Sequence, residues 1–239
     1  MGRLFLVRHA QASFLSQNYD HLSTLGEMQA RFLGEYWAER NIVFDRVLTG
    51  PALRHRQAAE LVGRAYRRAG GSFPSPVMAD AFDEFQGEAV LSESLPHLLA
   101  NNARIRELHN AMQYSTNDAT KRANFQRLLE VVISLWVNEE IAPPNVESWR
   151  EFGARVNGGL SAFLAKSRKG EIAAIFTSAG PVSVAVERAL HLSALDTLRV
   201  AWMLRNCSFN EFLFSENRFT LSSFNSFPHL HDESLLTYR

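Results

Sequence analysis

The chain has 239 residues, with 25 Lys+Arg against 25 Asp+Glu and 46% hydrophobic residues. That size buries a full core in one large domain, or in a domain carrying an insertion. The zero net charge argues against bulk binding to nucleic acid or anionic membrane, while leaving room for a local positive cluster. Cys207 is the one cysteine, which excludes an internal disulfide framework and a cysteine-based zinc site and suits a reducing compartment.

No apolar run reaches the roughly 20 residues needed to span a bilayer. The segment Met1 to Arg8 meets charge too early for a signal peptide. Gly2 lacks the Ser/Thr context of a myristoylation site. These features predict a cytoplasmic protein.

Leu4 to Val7 reads as a buried strand that ends on Arg8-His9. Thr24 and Glu27 have capping-box spacing, and Leu25, Met28, Phe32, Leu33, Tyr36 and Trp37 follow helical periodicity. A helix over about 25–39 is predicted. Phe44 to Thr49 reads as the second strand, broken by Gly50-Pro51, with Pro51 in the first turn of a helix running to about Ala69. A third strand is predicted over Val77 to Phe82. Residues 89–146 then show only helical stretches, notably Leu95–Met112 and Arg122–Glu139, closed by Pro143-Pro144. They read as a helical cap inserted into the domain.

A helix over Trp149–Ser167 and a buried strand over Ile172–Thr177 follow. Ser178-Ala179-Gly180-Pro181 leads into a helix from Val182 to Leu190. Phe209–Phe214 and Arg218–Phe224 read as a hairpin turning at Glu216-Asn217. It could form a homodimer edge or be covered within the monomer. The alternation of strands and helices predicts an α/β protein with a mainly parallel sheet between helical layers.

Ligands of parallel α/β sheets bind beyond the carboxyl ends of the strands. Here those ends carry Arg8-His9, Gly50-Pro51 leading to Arg54, and Ser178-Ala179-Gly180, with Asp83-Glu84 at a fourth. If the ends converge, two guanidiniums, an imidazole and a carboxylate share a pocket. Arginine forks match tetrahedral oxyanions, so phosphate is the expected guest. An imidazole can attack phosphorus and a carboxylic acid can protonate the leaving oxygen, which requires neither metal nor cofactor.

The same residues carry a family resemblance. Leu6-Val7-Arg8-His9-Ala10-Gln11-Ala12 resembles the signature of the histidine phosphatase superfamily, in its phosphoglycerate-mutase-like branch. Leu22-Ser23-Thr24-Leu25-Gly26 with Gln29-Ala30, Gly50-Pro51-Ala52-Leu53-Arg54 with Gln57-Ala58-Ala59, and Phe82-Asp83-Glu84 resemble its later segments in order. The resemblance implies a phosphohistidine mechanism. His9 would be the nucleophile, Arg8 and Arg54 would clamp the phosphoryl oxygens, and the Ser178-Ala179-Gly180 turn would border the phosphate. Glu84 would donate the proton, with Asp83 as a substitute. A small phosphorylated substrate or free phosphate is the implied partner, and hydrolysis is favoured over mutase activity.

The chain departs from the family in four places. Ala10 replaces the glycine after the nucleophile, and Ala12 and Leu15 stand at polar phosphate-contact positions. The family's second histidine, in a Ser-His-Gly turn, is here Ala179. A missing oxyanion donor costs about 3 kcal/mol of transition-state stabilisation. Ala179 fits a divergent site that works differently, a catalytically weak phosphate-binding or regulatory relative, or a substitution introduced into the natural sequence. His55, His229 and His231 are the candidates to supply another imidazole.

Two further patterns have plainer readings. His229-Leu230-His231 resembles a ligand pair, but no third metal ligand is identifiable. Arg64 to Arg68 reads as a helix end that favours cations rather than a nucleic-acid patch.

Overall fold

The computed structural model describes residues 1–13 and 20–238. Two compact units divide the chain: Met1–Glu84 with Ala154–Arg239, and Phe85–Gly153. The strands are β1 (Gly2–Arg8), β2 (Arg46–Thr49), β3 (Val77–Met78), β4 (Ile172–Thr177), β5 (Phe209–Ser215) and β6 (Arg218–Ser226). The helices are α1 (Thr24–Glu39), α2 (Leu53–Arg68), α3 (Gly87–Asn101), α4 (Ala103–Gln113), α5 (Asp118–Val137), α6 (Trp149–Ala165), α7 (Ala179–Leu190) and α8 (Ala194–Met203).

The first unit is built on one sheet of order β3-β2-β4-β1-β5-β6. β1, β2, β3 and β4 pair in parallel, while β5 and β6 run antiparallel at one side. The fold is therefore α/β with a mainly parallel sheet, as the alternation implied. β1 and β4 are apolar on both faces because both faces are covered. On one face, Phe5, Val7, Ala174 and Phe176 share a core with Leu33 and Trp37 of α1 and Ala58, Ala59 and Val62 of α2. On the other, Phe163 of α6 packs edge-on against Phe214 of β5. Phe214 pairs with Gly2 and so shares the Leu4 face of β1.

Several boundaries move for local reasons. Ser23, not Thr24, caps α1: its hydroxyl accepts from the Gly26 amide at 3.0 Å, and Thr24 is already helical. β3 stops at Met78, and Asp80–Phe82 turns into a short 3-10 helix instead of continuing the strand. α7 begins at Ala179, earlier than the Pro181 signal suggested, since proline is tolerated in a first turn. α8 was not foreseen; Ser193 caps it by accepting from the Asp196 amide.

In the second unit, the stretch read as one helix over 95–112 is broken at Asn102. Its side chain accepts from the Ile105 amide at 3.1 Å and starts α4. Phe85, Trp136, Trp149 and Phe152 form a cluster of rings 5.4–6.1 Å apart. No helix among the described residues is long and apolar enough to cross a membrane.

Candidate active site

Strand register aligns the carboxyl ends. Arg8 is abreast of Thr177, and Thr49 is abreast of Phe176. His9, Gly50 and Ser178 therefore leave the sheet side by side. The Gly50 amide donates to the Phe176 carbonyl at 2.9 Å and the His9 amide to the Thr177 carbonyl at 2.7 Å. These bonds carry the ladder one residue past the strands.

His9 is buried, and its Nδ1 lies 2.8 Å from the Ala10 carbonyl oxygen. A carbonyl only accepts, so the proton of the neutral ring is on Nδ1 and Nε2 keeps its lone pair. Burial, then the charges of Arg54 and Arg8, hold this imidazole well below its ordinary pKa. His9 is thus a neutral base with a directed lone pair, next to two cations.

Arg8 is buried at the end of β1 and donates through Nη1 to the Leu204 carbonyl. Arg54 sits in the first turn of α2. Its Nη1 pairs with Asp20 Oδ1 at 2.7 Å, and its Nη2 lies 3.5 Å from Ser178 Oγ. Asp20 also accepts from the Leu53 amide at 2.7 Å. It thereby supplies the α2 cap that Ala52 lacks.

The acidic segment joins at the start of α7. Glu84 Oε2 accepts from the Gly180 amide at 3.2 Å, where the positive end of the helix favours a carboxylate. Asp83 is turned to local use: its Oδ1 accepts from the Glu84 amide at 2.9 Å. Thr177 Oγ1 donates to the Phe82 carbonyl at 2.6 Å, tying this segment to β4.

Arg54 and Glu84 are tied to the Ser178-Ala179-Gly180 turn by these contacts, and Arg54 and Arg8 act on His9 through their charges. Ala179 adds only a methyl to the turn. Ala12 is buried in an isolated bridge with Leu22, and Leu15 lies outside the described residues. His229 is buried beside Phe209 and Tyr36, and His231 packs on Phe32. Among the described residues no group of three acids, histidines or cysteines is placed to hold a metal.

The structure adds one site neighbour, Asp20, and selects a second, His55, from the candidates. Asp20 stands just before the Leu22–Gly26 segment and outside the residues that carry the resemblance, and its contact with Arg54 crosses a long sequence separation. His55 was one of three spare imidazoles. It is fully buried, with Nε2 2.6 Å from Ser178 Oγ and its ring 5.7 Å from that of His9.

The α/β fold thus carries an imidazole, two guanidiniums and a carboxylate near its strand ends. The model of the histidine phosphatase superfamily (branch 1) matches residues 96–226. The chain belongs to this superfamily. Bacillus stearothermophilus YhfR superposes with a TM-score of 0.65 at 13% identity, covering 96% of this chain and 100% of the other. Phosphoserine phosphatase from Entamoeba histolytica, in complex with 3-phosphoglyceric acid, gives 0.62 at 16% identity over 96% and 100%. Mycobacterial glucosyl-3-phosphoglycerate phosphatase gives 0.59 at 17% over 95% and 99%. At these identities the likeness is one of fold. No curated protein matches the chain by sequence.

Proposed function

We propose that this protein is a phosphomonoester hydrolase that works through a phosphohistidine at His9. The observation that carries the reading is the buried His9 ring, whose Nδ1 is held by the Ala10 carbonyl so that Nε2 keeps its lone pair, and on which the charges of Arg54 and Arg8 act. The Nε2 lone pair attacks phosphorus and the ester P–O bond breaks. The leaving oxygen takes the proton of Glu84 in its acid form. Water then attacks the phosphohistidine and gives a proton to Glu84, the P–N bond breaks, and inorganic phosphate leaves. Arg8 and Arg54 balance the charge of the transferring group. The phosphatases among the structural neighbours support the reaction class, and a small phosphorylated metabolite is the substrate class.

The test compares the chain with His9→Ala on an aryl phosphate and a panel of phosphometabolites, and looks for an acid-labile phosphoenzyme. Turnover lost in His9→Ala supports the reading. Activity no higher than the His9→Ala background overturns it. The second reading, a phosphate-binding or regulatory protein on the same scaffold, is favoured by Ala179 alone. Phosphate binding without turnover would establish it.

A further inference from the structure

Ala179 leaves the β4–α7 turn without an imidazole, yet an imidazole is present beside it. His55 reaches the turn from α2, is 0% exposed, and places Nε2 2.6 Å from Ser178 Oγ. Gly50 makes room for it: a Cβ there would stand 2.4 Å from His55 Nδ1 and 2.5 Å from the Phe82 carbonyl oxygen. Ser178 is the residue before α7, but its hydroxyl makes no cap bond to the helix. It lies between His55 and Arg54 Nη2 instead.

The hydrogen-bond inventory gives this arrangement a purpose. Burial, then the charge of Arg54, keeps the His55 ring neutral. A neutral imidazole has one N–H, and Nδ1 has no hydrogen-bond partner among the described residues. With the proton on Nε2, the ring donates to Ser178 Oγ, and no buried N–H is left unpaired. Arg54 donates to the same oxygen. Both lone pairs of Ser178 are then filled, and its hydroxyl hydrogen must go to a third partner. A phosphoryl oxygen held by Arg54 is such a partner.

We propose that His55 is a positioning residue for phosphoryl recognition, orienting the Ser178 hydroxyl as an oxyanion donor where Ala179 offers no side-chain donor. This rests on the phosphatase reading of the site. Ser178 touches the substrate; His55 acts through it.

The experiment measures kcat, KM and orthovanadate affinity for the wild type, His55→Ala, Ser178→Ala, the double variant of those two, and His55→Ala/Ala179→His. His55→Ala and Ser178→Ala should each lower kcat roughly 10²-fold and weaken vanadate binding at least tenfold. The double variant should be no worse than either single one, because the two residues act in series. Returning an imidazole at position 179 should recover at least tenfold of the His55→Ala loss, which a purely structural role would not do. Additive losses, or Ser178→Ala within twofold of wild type in both readouts, would overturn the proposal. Ser178→Ala removes one oxygen and keeps the core, so it decides the matter even if His55→Ala does not fold. A wild type without turnover defeats the phosphatase reading alone; vanadate affinity then still tests His55 and Ser178.

Discussion

Asp20 binds Arg54 and the helix that carries it with separate carboxylate oxygens: one pairs with the Arg54 guanidinium at 2.7 Å, and the other accepts from the Leu53 amide at 2.7 Å. The residue that binds Arg54, the proposed phosphate clamp, therefore also caps the helix that carries it. Asp20→Asn keeps acceptor geometry and removes the charge that competes with an incoming anion. Inorganic phosphate should inhibit this variant several-fold more tightly at low salt, with the difference shrinking as salt rises. Asp20→Ala should lose about 1 kcal/mol of stability through the cap, read by urea denaturation.

Glu84 and Asp83 are adjacent acids with different partners. Glu84 faces the start of α7, while Asp83 closes a local turn. Glu84→Gln should slow hydrolysis of alkyl phosphates by roughly 10²-fold or more. An aryl phosphate should lose much less, since its leaving group needs little protonation. Asp83→Asn should stay within a few-fold on both substrates. The reverse ranking would assign the acid to Asp83.

The pKa of His9 is depressed first by burial, then by Arg54 and Arg8. A depressed imidazole stays neutral as pH falls below its ordinary value near 6.5. Nitrogen chemical shifts of the His9 ring should therefore show it unprotonated at pH 6. Arg54→Gln should move its midpoint upward, because the second-largest cause is removed. A wild-type midpoint at or above 6.5 would contradict this account.

His229 is buried, and that burial lowers its pKa to about 3 against a smaller raising effect of the Cys207 backbone. Its native form is neutral, whereas the unfolded chain binds a proton below about pH 6.5. The unfolded state thus gains protons first, and the contribution to stability falls as pH drops from about 6.5 toward 3. His229→Phe, stacked on Phe209 in the same way, should remove that dependence. Relative to wild type, the variant should gain about 1 kcal/mol between pH 7.5 and pH 5.5, measured by denaturant titration.

The sequence carried the strand ends unusually well. Leu4 to Val7 and Ile172 to Thr177 are continuous apolar runs, because parallel strands covered on both faces leave no alternation to misread. The polar residues that follow them stand out against those runs, so His9, Arg8 and Ser178 were legible one by one. The caps and breaks were less so. Ser23 and Thr24 are chemically equivalent cap candidates, and the break at Asn102 lies inside an otherwise helical pattern.

By itself, then, the sequence determined the α/β alternation and the residue types at each strand end, since these follow from local periodicity and spacing, and it carried the motifs by which the chain resembles its family. Only the tertiary structure decided who meets whom. Asp20 reaches Arg54, and His55 reaches Ser178 across more than a hundred residues. Such contacts are set by how α2 lies along β2 and β4 and by the space left at Gly50. No property of His55's own neighbours in the chain specifies that packing, so its imidazole beside Ala179 could be found only in the folded molecule.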